Sequence, residues 1–247
     1  MSGHSKWSTI KRKKGANDAK RSKIFSKIIK EITVAVTEGG TDPDANPRLR
    51  VAIVNAKGQN LPKDNIQKAI NKGSDKDGAN FSELSYEGYT AGGVAVFVEC
   101  TTDNQNRTIS NIRSYFTKYN GNLATNGSVE YLFSRKGVFN IPKAELDEEE
   151  FTLDMIDAGS EDVELAEDIF IVTTALEDFG TVQKRLEDMS IEPESVELQR
   201  IPTTTTKLDA DGAQKAFKLI ELIEDDEDVK AVFHNMELTD EVIAAIE

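Results

Sequence analysis

The sequence is short of the residues from which most catalytic centres are built. It has one cysteine, Cys100, and two histidines, His4 and His234, far apart along the chain. A single thiol forms no internal disulfide, so the expected home is the cytoplasm. A His/Cys metal cluster lacks ligands. P-loop, nucleotide-binding glycine fingerprint and G-x-S-x-G are all missing. DADG at 209–212 starts like a calcium loop, but Ala213 stands where the next ligand is needed and the closing Glu is absent, so Asp209 or Asp211 reads as a helix cap. Catalytic residues, cofactors and metals are therefore not expected, and Cys100, closing an apolar strand, reads as a core residue. Long apolar runs are lacking too. The nearest, 24–36, is broken by Lys27, Lys30 and Glu31, well short of the roughly 20 residues of a membrane span. A basic start with no unbroken apolar stretch behind it does not read as a signal peptide.

Charge is plentiful and unevenly placed. Lys and Arg number 30 against 44 Asp and Glu, a net charge of -14. Residues 1–30 nevertheless hold ten basic residues, Lys6, Lys11, Arg12, Lys13, Lys14, Lys20, Arg21, Lys23, Lys27 and Lys30, against one acid, Asp18. From Glu145 to Asp178 the balance inverts to fourteen acids and no base. Fields decay over a Debye length of about 8 Å, so a basic segment meets a polyanion while an acidic one faces elsewhere. Lys6, Lys11, Arg12, Lys13 and Lys14 sit among few core-forming residues and are expected to stay unordered until they meet a charged surface. Trp7 beside them either stacks on a base, worth about 1–3 kcal/mol, or packs on the protein. The acidic block either faces solvent or docks a basic protein partner.

Helix punctuation is regular in the first third. Asn17 or Asp18 caps a helix to about Glu38, stopped by Gly39 and Gly40. Its apolar positions, Ile24, Phe25, Ile28, Ile29, Ile32, Ala35 and Val36, share a face, and Lys20, Lys23, Lys27 and Lys30 form a stripe nearly opposite. Asn46 and Pro47 open a second helix that Gly58 ends, and Pro62 and Gly73 bracket a third. Arg48 and Arg50 either extend the basic patch or are structural. After a polar linker, GSDKDGANFSE, the period shifts. GGVAVFVECTT reads as a strand, NQNRTISNIRSYFTKY as a helix and GSVEYLFSR as a strand, together a β-α-β unit. TTDNQNRT, where strand meets helix, suits a phosphate or a polar cap. From GVFNI onward a second α+β stretch follows: a helix at 148–158, strands at 161–165 and 168–174, a helix at 180–189 and a strand at 195–200. IPTTTTKLDADG crosses to a last helix and the strand VKAVFHN.

GHSKWSTIKRKKGANDAKRSKIFSK, DPDANPRLR, LPKDNIQKAI, YEGYTAGGVAVFVECTTDNQNRT and GNLATNGSVEYLF resemble successive signatures of the YebC/PmpR family, which includes a mitochondrial translational activator. The resemblance runs through AVFHNMELTDEV, nearly the whole chain. It implies a three-domain α+β protein: a helical bundle over 1–80, a discontinuous central α+β domain over 81–136 and 206–247, and an inserted acidic ferredoxin-like domain over 137–205. It also implies a non-enzymatic regulator of gene expression that binds DNA in transcription, or alternatively a ribosome-associated factor that contacts ribosomal RNA or tRNA and relieves stalling, for example at proline-rich sequences. The expected nucleic-acid contacts are the ten basic residues of the N-terminal segment with Trp7.

Overall fold

The computed structural model describes residues 6–7, 10, 18–75 and 80–246. The fold is α+β, with two four-stranded sheets, and it divides into two compact units. One holds the described residues of Met1–Thr9 and Gly15–Gly78 with Arg135–Gln199, the other those of Ile10–Lys14 and Ala79–Ser134 with Arg200–Glu247.

In the first unit, helices α1 (Asp18–Gly39), α2 (Pro47–Gly58) and α3 (Lys63–Ser74) enclose Ile32, Ala35, Val36, Leu49, Ala52, Ala56, Leu61, Ile66 and Ala69. Asn46 caps α2, its Oδ1 accepting the Leu49 N–H at 3.0 Å, while its Nδ2 donates to the Ala35 carbonyl at 2.7 Å and ties α1 to the same corner. α3 lies close against α1 because Gly73 has no side chain: a Cβ there would stand 2.7 Å from the Thr33 carbonyl oxygen.

The sheet of this unit runs β5-β6-β4-β7, built from β4 (Phe133–Pro142), β5 (Ser160–Ala166), β6 (Ile169–Thr174) and β7 (Ser195–Pro202). With α5 (Glu148–Asp157) after β4 and α6 (Phe179–Asp188) after β6, this is the β-α-β-β-α-β order of ferredoxin-like folds. Phe139, Ile141, Phe151, Met155, Phe170, Val172, Val182, Leu186 and Val196 fill its core.

Helix α2 serves both cores. Leu49, Ala52 and Ala56 face the bundle, and Val51 and Val54 pack against the sheet's core. Between them the Asn55 carboxamide satisfies strand β7 as a neighbouring strand would: its Nδ2 donates to the Val196 carbonyl at 2.8 Å and its Oδ1 accepts the Val196 N–H at 2.7 Å. Gly58 permits this approach, since a Cβ would fall 1.8 Å from the Glu194 carbonyl oxygen. Backbone meets backbone there, with no flexible side chain to yield. Gly58→Ala is expected to destabilise this unit by about 3 kcal/mol, the upper part of the overpacking range. Gly180→Ala, with nothing within 4 Å of its Cβ, is expected to be neutral or to stabilise by up to about 1 kcal/mol. Urea unfolding of the two variants beside the parent checks the contrast.

The sheet of the second unit runs β3-β1-β2-β8, from β1 (Ser82–Tyr89), β2 (Ala95–Thr102), β3 (Asn122–Ala124) and β8 (Val229–His234), all neighbours antiparallel. α4 (Gln105–Lys118), α7 (Ala210–Glu224) and α8 (Asp240–Ile246) complete it. Asp209 caps α7, accepting the Gly212 N–H at 2.8 Å. Cys100 is a buried free thiol on β2.

Two sequence expectations are corrected here. Ser82 and Glu83, read as the end of the linker, instead open the strand β1, which lies between β2 and β3. GSVEYLFSR does not close a β-α-β unit with β2. Glu130–Leu132 form a 3-10 turn and Phe133 begins β4, which belongs to the other sheet. The cause is Glu87. Its buried carboxylate accepts the N–H groups of Gly127, Val129 and Glu130 at 2.7, 2.6 and 3.2 Å, so these donors serve a turn instead of a ladder.

Candidate nucleic-acid interface

Of the expected contacts, Lys6 and Trp7 are helical and half-buried, and Ile10 three residues on is helical and 5% exposed. The expectation of an unordered arm is corrected for these three, which have helical backbone and burial of their own. Lys6 and Trp7 both take part in interactions with the protein. Lys11, Arg12, Lys13 and Lys14 lie outside the described residues. Lys20 falls in the first turn of α1.

The rest of α1 departs from a simple two-faced helix. Arg21 is exposed, its guanidinium carbon 6.0 Å from the Phe25 ring centroid, a cation-π distance. Lys23, Lys27 and Lys30 are half-buried and each is engaged by other groups of the protein. Their stripe is therefore less open to solvent than helical periodicity predicts. Farther along, Ile32, Thr33, Val34, Ala35 and Val36 are all buried, and no solvent face is left at that level. Arg48 is held by Glu31 at 2.8 Å and Glu38 at 2.7 Å, and this favours the structural account of that residue.

Helix α3 presents three cations that project without an ion pair among the described residues. Lys63, Lys68 and Lys72 are exposed. Ile66, Ala69 and Gly73 are buried on the other side. Lys68 and Lys72 stand four residues apart, so they share a face, and the Gln67 Nε2 donates to the Asn71 Oδ1 at 3.0 Å. Sequence reading missed this set because three lysines against Asp64 do not raise the local charge as the N-terminal segment does; the i,i+4 spacing was the available signal.

The start of α4, where sequence allowed a phosphate site or a polar cap, carries its own anion. Asn104 caps the helix, accepting the Arg107 N–H at 3.0 Å. Arg107 Nε donates to Asp228 Oδ2 at 2.9 Å and its Nη2 to Asp228 Oδ1 at 2.7 Å and Asp103 Oδ1 at 2.7 Å. Thr108 Oγ1 donates to Asp228 Oδ2 at 3.0 Å. Hydrogen bonds to Asp228 and then Asp103 hold the Arg107 pKa above its ordinary value. The polar-cap account stands.

Alongside, Tyr115 donates its hydroxyl to Asp226 at 2.8 Å, and Asn111 donates to the same oxygen at 3.0 Å. Burial first, then that hydrogen bond, pushes the Tyr115 phenol up to about 12 from 10.0. A raised folded-state pKa stabilises fully below the unfolded value and is lost as pH rises through the folded one. The contribution of Tyr115 to stability is thus expected to fade between about pH 10 and about pH 12. Ultraviolet titration should show a late phenol step that Tyr115→Phe abolishes.

Among the described residues there is no group of three or more His, Cys, Asp and Glu placed to hold a metal ion, and no helix is long and apolar enough to cross a membrane. His234 is buried with Nδ1 accepting the Met236 N–H at 3.2 Å.

Comparison with known proteins follows the same outline. Residues 5–76 match a family model described as the TACO1/YebC protein N-terminal domain, and residues 81–236 one described as the TACO1/YebC second and third domain. A relative from Amoebophilus asiaticus is 52% identical over 96% of this chain and 98% of its own length, and one from Brachyspira hyodysenteriae is 51% identical over 98% and 99%. Both are named probable transcriptional regulatory proteins. The crystal structure of a conserved hypothetical protein from Aquifex aeolicus superposes with a TM-score of 0.83 at 44% identity, covering 92% of this chain and 94% of that one.

Proposed function

The chain belongs to the TACO1/YebC family, and from that membership and its charge layout we propose that it is a non-enzymatic regulator of gene expression that binds duplex DNA. One observation carries the reading. Residues 1–30 concentrate ten basic residues against one acid in a chain of net charge -14. Relatives about half identical over nearly their whole length are named as transcriptional regulators, and this favours DNA as the polymer.

In this proposal Lys6, Lys11, Arg12, Lys13, Lys14, Lys20, Arg21, Lys23, Lys27 and Lys30 supply the phosphate contacts, and Lys63, Lys68 and Lys72 of α3 add to them. Contacts of this kind set register and orientation, and sequence is read separately at base edges or through DNA shape. Trp7 is the aromatic residue of the segment. The stretch Glu145–Asp178 is repelled by DNA and limits indiscriminate coating of it. We retain the division into 1–80, 81–136 with 206–247, and 137–205, and a cytoplasmic location, as parts of the same proposal.

Footprinting on genomic duplex fragments tests it. Discrete protected sites, bound at least about a thousandfold more tightly than bulk duplex, are expected. Uniform weak binding to any duplex, with tighter binding to ribosomal RNA or tRNA, would overturn the DNA reading in favour of a ribosome-associated factor.

A further inference from the structure

Helix α5, EEEFTLDMID, turns two kinds of residue inward and outward against the usual sorting. Phe151 and Met155 are buried, as its amphipathic pattern requires. Leu153 and Ile156, on the outer side and one turn apart, are 63% and 53% exposed. Single exposed apolar residues are ordinary; two that share a helix face make a patch. Carboxylates border it. Glu149 and Asp157 lie one turn before and after Leu153, and Glu150 lies three residues before it, placing all three beside the pair. They are exposed and form no ion pair among the described residues. The other acids of the helix have occupations: Asp147 caps it, accepting the N–H groups of Glu149 and Glu150, Glu148 lies 3.7 Å from Lys143, and Asp154 pairs with Arg185.

We propose that the outer face of α5 docks a basic amphipathic segment of another protein, whose apolar side chains cover Leu153 and Ile156 while its lysines or arginines pair with Glu149, Glu150 and Asp157. Charge selects this occupant. Fourteen acids and no base between Glu145 and Asp178 repel nucleic acid and anionic membrane alike. The same face of a second copy repeats the same carboxylates, so a two-fold symmetric pairing sets like charges against each other. A helix that presents an apolar stripe with a basic margin satisfies both parts of the patch, the recognition mode of amphipathic helices on acidic, apolar surfaces. The inference stands apart from the DNA reading, since it uses none of the N-terminal residues.

The test uses the full chain and two fluorescent peptides of identical leucine and lysine composition, one with leucines at helical spacing and one scrambled so that no apolar face forms. Anisotropy is measured against the parent and against the Leu153→Ser/Ile156→Ser variant, whose changes lie at exposed positions. The helical-spacing peptide is expected to bind the parent at least about tenfold more tightly than the variant, while the scrambled peptide binds both alike and weakly. Neutralising Glu149, Glu150 and Asp157 to the amides should flatten the salt dependence of the first peptide. Parent and variant binding the helical-spacing peptide within twofold of each other would overturn the proposal. So would sedimentation velocity showing a dimer of the parent that the variant loses, because the face would then join two copies.

Discussion

Arg107→Met is expected to destabilise the second unit by about 3–5 kcal/mol, and Asp228→Asn by less, about 2 kcal/mol. The two partners of this ion pair are unequally placed: the Asp228 side chain is 4% exposed and that of Arg107 45%. Removing the arginine leaves a carboxylate in the interior with the Thr108 hydroxyl among its remaining donors, the situation in which breaking a buried pair is most costly. Removing the carboxylate's charge leaves a guanidinium that reaches water and keeps Asp103, so the loss is nearer that of a charge-assisted hydrogen bond. The double variant should cost less than the sum, because each change deletes the other's partner. Denaturant unfolding of the four proteins checks the order. Equal costs for the single variants would mean that the pair is hydrated from both sides.

The second large effect concerns salt. If about six of the proposed cations contact phosphate, duplex affinity is expected to fall on the order of a thousandfold between about 50 and 200 mM salt. Changing Lys11, Arg12, Lys13 and Lys14 together to Ser should lower the slope of log affinity against log salt by about three to four, close to one for each phosphate no longer neutralised. Within the described residues the order is specific. Lys68→Gln/Lys72→Gln should reduce the slope more than Lys23→Gln/Lys27→Gln, since the first pair projects without an ion pair and the second is engaged by the protein. Anisotropy titrations over a salt series measure the slopes, and a slope unmoved by either pair would exclude both from the interface.

Legibility followed the range of the forces involved. Strands β5, β6 and β7 and helices α5 and α6 lie within a residue or two of where alternation and caps put them, because those signals are local. Asn46, Pro47 and Asp209 were readable for the same reason. Strand β1 was not. SELSYEGY lacks a run of branched apolar residues, and what makes it a central strand is tertiary: Glu87 turns inward to hold the 127–130 turn, and Gly88 leaves room for Phe116, whose ring atom would stand 2.5 Å from a Cβ. The same remote carboxylate explains the misplaced strand at GSVEYLFSR. For the interface, the sum of charge was legible and its availability was not. Periodicity puts Lys23, Lys27 and Lys30 opposite the apolar face, but it does not show that each is engaged by other groups of the protein. The double duty of α2 was equally hidden, since Val51, Val54 and Asn55 show their purpose only once strand β7 lies against them.

The central claim, that the basic N-terminal segment brings this protein to DNA, is tested most directly by fractionating nuclease-controlled lysate at near-physiological salt. The intact protein is compared with a variant lacking residues 2–16, and each is followed in ribosomal and chromosomal fractions. Association with chromosomal fragments that depends on those residues, with none in ribosomal fractions, is the predicted result. Segment-dependent co-sedimentation with ribosomes, and none with chromosomal fragments, would contradict it.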